Sequence, residues 1–169
     1  MKRALLAVLF LAAAAACRRG AGQAQAPGSE APARADSIVL ERTRCFGTCP
    51  AYRLSLARAG TVRFTSRWPA DTPPGQGTVT AAAFDELVAQ AGRIGFWQLP
   101  DRIQGSPLCR MMVTDLPTAT VTLFARGRSK VVEDYHGCTG GPLDELRRFE
   151  QRIDSVAGSR RWVRIPQIR

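Results

Sequence analysis

Two cysteines in the string CFGTCP, Cys45 and Cys49, carry the most distinctive chemistry that the sequence offers. At this spacing the two thiols can form a local disulfide, because Gly47 between them lets the backbone bring the two α-carbons within bonding range. As thiolates they could instead bind Cu(I) together with His136, the one histidine of the chain. They could also exchange disulfides with a substrate, which requires a lowered thiol pKa. We interpret the pair as a structural bridge and keep thiol-redox or Cu(I)-handling activity as the alternative.

The copper alternative starts from a resemblance. A CxxxCP motif with a distant histidine resembles the thioredoxin-like assembly proteins that deliver copper to cytochrome oxidase, in which the motif opens a helix after a strand. Here Tyr52, Leu54 and Leu56 alternate with less apolar residues and predict a strand directly after the motif. This disagreement favours the structural bridge, and we expect no cofactor.

The number of cysteines also favours disulfides. Setting Cys17 aside leaves Cys45, Cys49, Cys109 and Cys138, an even set with three possible connectivities. In an oxidising compartment disulfides are the default for such a set. In the chain-entropy model a Cys45–Cys49 bridge contributes about 2 kcal/mol and a Cys109–Cys138 bridge about 3.6 kcal/mol. We therefore expect a disulfide-braced domain, with its connectivity open.

Residues 1–16 predict a signal peptide, since a basic start is followed by an unbroken apolar run from Ala4 to Ala16. The run ends in AAAC, which resembles a bacterial lipobox, and the resemblance implies that Cys17 is lipidated and anchors the protein in a membrane. Ala14 stands where that pattern prefers Leu, so cleavage further along the chain stays open. By analogy with lipoprotein sorting, Arg18 implies the outer membrane. We expect an exported, periplasmic protein that is lipid-anchored.

The composition divides the rest of the chain. Residues 17–36 hold the expected lipidated cysteine and a segment without large apolar side chains, which predicts a flexible tether. Residues 37–158 have the length and the apolar content of one α+β domain. Residues 159–169 predict a basic, solvated C-terminal tail. No apolar run inside the chain is long enough for a membrane-spanning helix.

The hydrophobic patterns of the domain predict an antiparallel sheet made of an N-terminal strand and two β-hairpins. Period-two alternation marks the hairpins around Gly60 and Gly127, and helical spacing of apolar residues follows each hairpin, from Phe84 to Ile94 and from Leu143 to Val156. We expect both helices on one face of the sheet. We expect the acidic pairs Asp85-Glu86 and Asp144-Glu145 to lie in the first helical turns, where they complement the helix dipole.

The longer string CFGTCPAYRL, from Cys45 to Leu54, resembles the opening of an uncharacterised family of small exported bacterial domains, many of them lipoproteins, that begin with CFGxCPxYxL. The resemblance covers roughly residues 37–157. It implies a hairpin–helix–hairpin–helix fold and export from the cytoplasm. It implies no catalytic residues, because no activity is established for the family.

The remaining polar residues favour binding over catalysis. His136, two residues after Asp134, is the one plausible general base, and we interpret it as structural because it adjoins Cys138 in a predicted bridged turn. The chain lacks the motifs of nucleotide-binding loops, zinc proteases and serine hydrolases, so we do not expect an enzyme.

Three arginines of the first predicted hairpin, Arg53, Arg63 and Arg67, should share the wet face of the sheet. Arginine forks at these positions suit an acidic envelope protein or an anionic lipid head group. The formal net charge is +10, but all but two of the 24 basic residues are arginine, which indicates a codon bias more than phosphate binding. The export signal, rather than the charge, disfavours a nucleic-acid partner.

Overall fold

The computed structural model describes residues 35–165 and contains a sheet of six antiparallel strands, a second sheet of two short strands, and two α-helices. The strands are β1 Ser37–Arg42, β2 Ala51–Ala57, β3 Thr61–Trp68, β4 Gly75–Thr78, β5 Met111–Met112, β6 Thr118–Ala125, β7 Arg128–Tyr135 and β8 Cys138–Thr139. The helices are α1 Ala81–Arg93 and α2 Asp144–Ala157, and short 3-10 turns span Phe96–Gln98 and Ser159–Arg161. The predicted α+β class is confirmed.

The N-terminal strand β1 lies in the middle of the large sheet, whose order is β4-β3-β2-β1-β6-β7. It pairs with β2 on one side and β6 on the other, and its residues Ile38 and Leu40 are fully buried in the core that the helices also line. The strand thereby joins the two predicted hairpins into one sheet. Strands β5 and β8 form the small sheet beside it.

Both helices cover the same face of the large sheet. Thr80 caps α1 by accepting a hydrogen bond from the Ala83 amide at 3.2 Å. The helical apolar spacing predicted from the sequence is buried here, and Phe96 after α1 meets Phe149 of α2 edge to face at 5.8 Å. The buried side chains of the helices are Phe84, Leu87 and Ala91 of α1, with Leu146, Phe149, Glu150, Ile153 and Ala157 of α2.

Strand β4 lies between the first hairpin and α1, where the sequence patterns predicted no element. The two strand glycines are required by Trp162, since a Cβ on Gly75 would lie 2.5 Å from the Trp162 ring and a Cβ on Gly77 would lie 3.1 Å from it. The same ring stacks on Phe64 of β3 with centroids 5.6 Å apart. Trp162 belongs to the segment predicted as a solvated tail, so the packing of the domain extends past residue 158.

The acidic pair in α1 does not lie where we expected it. No acidic residue occupies the first turn of α1, and Asp85 and Glu86 come in its second turn. Asp85 pairs with Arg58 of the first hairpin at 2.9 Å, and Glu86 pairs with Arg93 at 2.6 Å. The prediction for Asp144 and Glu145 is confirmed, since both lie in the first turn of α2.

The helices of the described chain are all too short or too polar to cross a membrane. The signal peptide, Cys17 and most of the tether that the sequence predicts lie outside the described residues.

Candidate functional site

The loop between β1 and β2 is closed by a disulfide between Cys45 and Cys49, whose α-carbons are 5.4 Å apart. Gly47 at the centre of the loop has φ +153°, a backbone conformation that side chains with a Cβ rarely adopt. The loop is held to the neighbouring chain by the Phe46 amide, which donates to the Asp115 carbonyl at 3.0 Å. The bridge thus fixes a tight turn that points the Phe46 side chain into solvent.

A second disulfide joins Cys109 to Cys138, which are 29 positions apart in sequence and have α-carbons 4.9 Å apart. It fastens the segment that follows α1 to strand β8, where Met111 pairs with Thr139 and Met112 with Cys138. In this oxidised state the four cysteines offer no thiolate, so copper binding through Cys45 and Cys49 would require the reduced form, whereas thiol exchange would begin with attack of an external thiolate on the bridge.

Five large apolar side chains are exposed on these two bridged segments. We call this set the apolar tip, and its members are Phe46, Met111, Met112, Val113 and Leu116. Phe46 is 90% exposed and Met111 is 63% exposed, although side chains of this kind are normally among the most buried in a protein. The surface of the described chain has three further exposed large apolar side chains, which are Phe124 on β6, Val131 on β7 and Ile165 after the last 3-10 turn.

The apolar tip is held in place by Tyr135 at the end of β7. The Tyr135 hydroxyl donates to the Val113 carbonyl at 2.9 Å and accepts from the Leu116 amide at 3.4 Å. Gly137 lets the same segment approach the sheet closely, because a Cβ there would lie 2.1 Å from the Val113 carbonyl oxygen. The exposed side chains therefore stand on a backbone that is fixed by hydrogen bonds and disulfides.

Two exposed arginines adjoin the apolar tip in sequence, Arg44 beside the first bridge and Arg110 beside the second. The guanidinium of Arg44 lies 4.1 Å from the ring centroid of Trp68, a cation–π distance that orients it. Asp115 is the one acidic residue within the exposed 110–116 segment. The apolar tip thus has a partly basic border.

The three arginines that the sequence predicted as a binding surface lie on β2 and β3, on the sheet face opposite the helices. Glu41 of β1 accepts from Arg53 at 2.8 Å and from Arg67 at 2.5 Å. Arg63 has no ion pair among the described residues. Two of the three charges are therefore engaged within the protein, and the face offers less free positive charge than we expected.

A row of charged residues lies between the sheet and α2, at the end of the sheet where β1 ends and β2 begins. Asp154 of α2 accepts from the Tyr52 hydroxyl at 2.7 Å and from Arg42 Nε at 2.9 Å. Arg42 also lies 3.7 Å from Glu150, one turn earlier in α2. Burial, followed by the Asp154 charge, raises the pKa of Tyr52. The first residues of β2 and the last of β1 are thereby tied to α2.

The row of charged residues continues to His136 and its neighbours. His136 Nε2 lies 2.8 Å from Glu150 Oε2 and 3.8 Å from Asp134 Oδ2. Arg147 Nε donates to Asp134 Oδ2 at 2.9 Å, and Arg147 Nη2 donates to the Cys138 carbonyl at 2.7 Å. Burial raises the pKa of Glu150, and the His136 contact opposes that rise.

The sequence singled out Asp134 and His136 but missed their partner Glu150. The signal that could have found it is its position in α2, since Glu150 lies on the apolar stripe, one helical turn after Leu146 and three residues before Ile153. A charged residue at a core-facing position indicates a buried partner. The side-chain partners of His136 that the structure describes are carboxylates, and they include no serine, threonine or cysteine nucleophile.

A cleft of about 580 Å³ opens beyond the Asp154 end of these charges. Tyr52 and the C-terminal half of α2 line it, together with Ser159 and Arg160 of the turn that follows. It is separate from the apolar tip, and none of the residues predicted as a site from the sequence lines it.

Comparison with known proteins gives a family but no activity. No curated protein matches the sequence significantly. The family model for the domain of unknown function DUF6438 matches residues 36–157, which is more than half of the chain and spans both bridged loops and both helices. The chain therefore belongs to the DUF6438 family of domains of unknown function.

Proposed function

We propose that this protein is a disulfide-braced binding module of the bacterial envelope, without catalytic activity, which uses its apolar tip to bind another protein. The observation that carries the proposal is the exposure of Phe46, Met111 and Met112 on two loops that are each closed by a disulfide. An exposed apolar cluster is unfavourable in water, so its placement on a fixed backbone indicates a surface that is covered in use.

The composition of the surface favours a protein as the partner. Aromatic, methionine and arginine side chains are enriched in protein–protein interfaces, and methionine adapts its shape to the surface that it meets. Arg44 and Arg110 at the border would pair with acidic groups, and the protein as a whole is strongly basic. The partner that fits best has a concave apolar surface bordered by carboxylates.

The bridges would make this binding more favourable. Loops that are ordered before binding lose less conformational entropy when the complex forms. Phe46 is almost fully exposed, and burying a phenylalanine contributes about 2 kcal/mol. Loss of that contribution would weaken the complex by about 30-fold.

The envelope location rests on the predicted export signal and the expected lipid anchor at Cys17. An anchor that holds the domain near the outer membrane would restrict its partners to envelope proteins. Because such a domain also lies near lipid, the test has to distinguish a protein partner from the bilayer itself.

Photo-crosslinking in intact cells provides that test. A photoreactive phenylalanine analogue is placed at position 46 in one variant and at position 124 in a matched control, because Phe124 is exposed on the open face of the sheet. We expect position 46, and not position 124, to crosslink to one envelope protein. The purified partner should then bind the wild-type protein and its Phe124→Ser variant equally, and Phe46→Ser about 30-fold more weakly.

Two results would refute the proposal. Crosslinking of position 46 to lipid alone would mean that the apolar tip inserts into a membrane surface. Equal crosslinking from positions 46 and 124 would mean that the apolar tip has no specific partner.

A further inference from the structure

One nitrogen and two carboxylates converge beneath the sheet where β7 ends. Asp134 is the penultimate residue of β7, His136 lies in the turn that follows, and Glu150 projects from α2. One donor atom from each of them lies within 4.8 Å of the other two. We infer that Asp134, His136 and Glu150 form a binding site for a divalent transition-metal ion of the zinc type.

The distances suit a zinc-sized ion. Imidazole and carboxylate donors bind zinc at about 2.0–2.1 Å, which places neighbouring donors of a tetrahedral site about 3.3 Å apart. Here His136 Nε2 lies 2.8 Å from Glu150 Oε2 and 3.8 Å from Asp134 Oδ2. Shifts of about 0.5 Å would place His136 at that distance from both carboxylates, whose own donor oxygens lie within 4.8 Å of each other and have to approach further to share one ion. One imidazole and two carboxylates are borderline-to-hard ligands, which favours Zn²⁺, Fe²⁺ or Mn²⁺ over Cu⁺.

An unsatisfied polar atom is a second, independent indication. Glu150 is 1% exposed, and its Oε1 has no hydrogen-bond partner within residues 35–165, although it lies on the carboxylate that faces His136. A buried carboxylate oxygen without a partner costs stability unless some group satisfies it. A metal ion bound by this carboxylate would supply the missing interaction.

The neighbouring arginines orient the carboxylates and lower the affinity. Arg147 binds Asp134 through two nitrogens and also binds the Cys138 carbonyl, an outer contact of the kind that fixes ligands in metal sites. Arg42 lies 3.7 Å from Glu150 but is bound more closely by Asp154 at 2.8 Å. These two positive charges oppose a dication, so the site should bind zinc more weakly than a structural zinc finger does.

The site lies at the edge of the buried region. His136 is 25% exposed, whereas Asp134 and Glu150 are buried. With three protein ligands, the fourth position of a tetrahedral site would be left for water or an external ligand.

The test uses the single histidine of the chain as the reporter. Zn²⁺ is added to tag-free protein labelled with ¹⁵N, and the ring signals of His136 are followed by NMR. We expect these signals to move to one bound position that saturates at one equivalent of metal. In a parallel experiment, Co²⁺ should give the visible absorption of a four-coordinate site.

Variants then identify the ligands. Glu150→Gln and Asp134→Asn should abolish the saturable binding, whereas Glu133→Gln should not change it. Glu133 is the matched control, because it carries the same charge one residue from Asp134 but faces the other side of the sheet, where it pairs with Arg102 at 3.2 Å. Circular dichroism shows whether each variant is folded.

The wild-type titration decides the proposal even if the buried variants do not fold. His136 ring signals that stay unchanged in the presence of Zn²⁺ would show that the three residues form only a charge network. Binding that persists in a folded Glu150→Gln variant would show that zinc binds elsewhere.

Discussion

Removing each disulfide separately measures how much stability each closed loop supplies. The first variant carries Cys109→Ala and Cys138→Ala, and the second carries Cys45→Ala and Cys49→Ala. Alanine is used because Cys138 is fully buried, and a serine hydroxyl there would lack a hydrogen-bond partner. Cys17→Ser in every variant keeps the fifth thiol from forming new pairs.

The expected losses follow from the lengths of the closed loops. Cys109 and Cys138 are 29 positions apart, and Cys45 and Cys49 are 4 positions apart. A bridge lowers the entropy of the unfolded chain more when it closes a longer loop. Removing the Cys109–Cys138 bridge should therefore lower the free energy of unfolding by about 3.6 kcal/mol, and removing the Cys45–Cys49 bridge should lower it by about 2 kcal/mol. With an unfolding entropy of about 2.1 cal/mol/K per residue, the melting temperature should fall by about 13 °C and about 7 °C.

Urea unfolding of the oxidised protein, followed by circular dichroism, gives both free energies of unfolding. Binding of the envelope partner is measured on the same samples at a temperature where each variant is folded. We expect both variants to bind more weakly, because each one loosens a loop of the apolar tip.

The loop-entropy reasoning would be refuted if the Cys45→Ala/Cys49→Ala variant lost as much free energy of unfolding as the Cys109→Ala/Cys138→Ala variant, or more. Free thiols in protein purified without reductant would refute the pairing itself. A folded Cys45/Cys49 variant that has lost copper binding or disulfide exchange shown by the wild type would support the thiol-redox alternative.

Three further substitutions test other parts of the fold. Trp162→Ala should lower the free energy of unfolding by about 3 kcal/mol, because it removes the ring that packs on Phe64 and on the strand glycines, and urea unfolding measures this; no loss would mean that residues 159–165 do behave as a solvated tail. Gly137→Ala should cost about 1–3 kcal/mol of unfolding free energy, because the new Cβ forces the Val113 carbonyl away; an unchanged free energy of unfolding in urea would contradict the steric argument. Because the pKa of Tyr52 is raised in the folded state, the unfolded state loses that proton first, so the unfolding free energy should fall above about pH 10. Tyr52→Phe should flatten this dependence, and equally steep pH profiles would show that Tyr52 does not cause it.

The sequence was sufficient to predict five of the six strands of the large sheet and both helices, because their signals are local. Alternation in β2 and β3 and the helical spacing around Leu87 and Phe149 depend only on which side chains face the core. Strand β4 has no such signal, since its sequence GQGT has no large apolar residue. Its glycines are explained by Trp162, which is more than 80 residues away in the chain and was assigned to the tail.

Of the candidate site, the disulfide cysteines were the part that the sequence could predict. Their number and spacing predict disulfides without a structure, and both bridges are present. The apolar tip was not predictable, because the exposure of Phe46 and Met111 depends on where their loops lie relative to the rest of the protein. The contact of His136 with Glu150 joins a turn to a helix, and sequence alone could not show that the two meet.

The covalent cross-links and the most buried ion pairs lie at the end of the sheet that carries the apolar tip. Both disulfides lie there, and the row of charged residues from Tyr52 to Arg147 ties the same strand ends to α2. The opposite end of the sheet turns through short hairpins at Gly60 and Gly127, which need no such support. If this end of the sheet contributed only to stability, its apolar side chains would be expected to be buried. Rigid support beneath exposed apolar side chains is the arrangement expected when a surface has to keep its shape before its partner arrives.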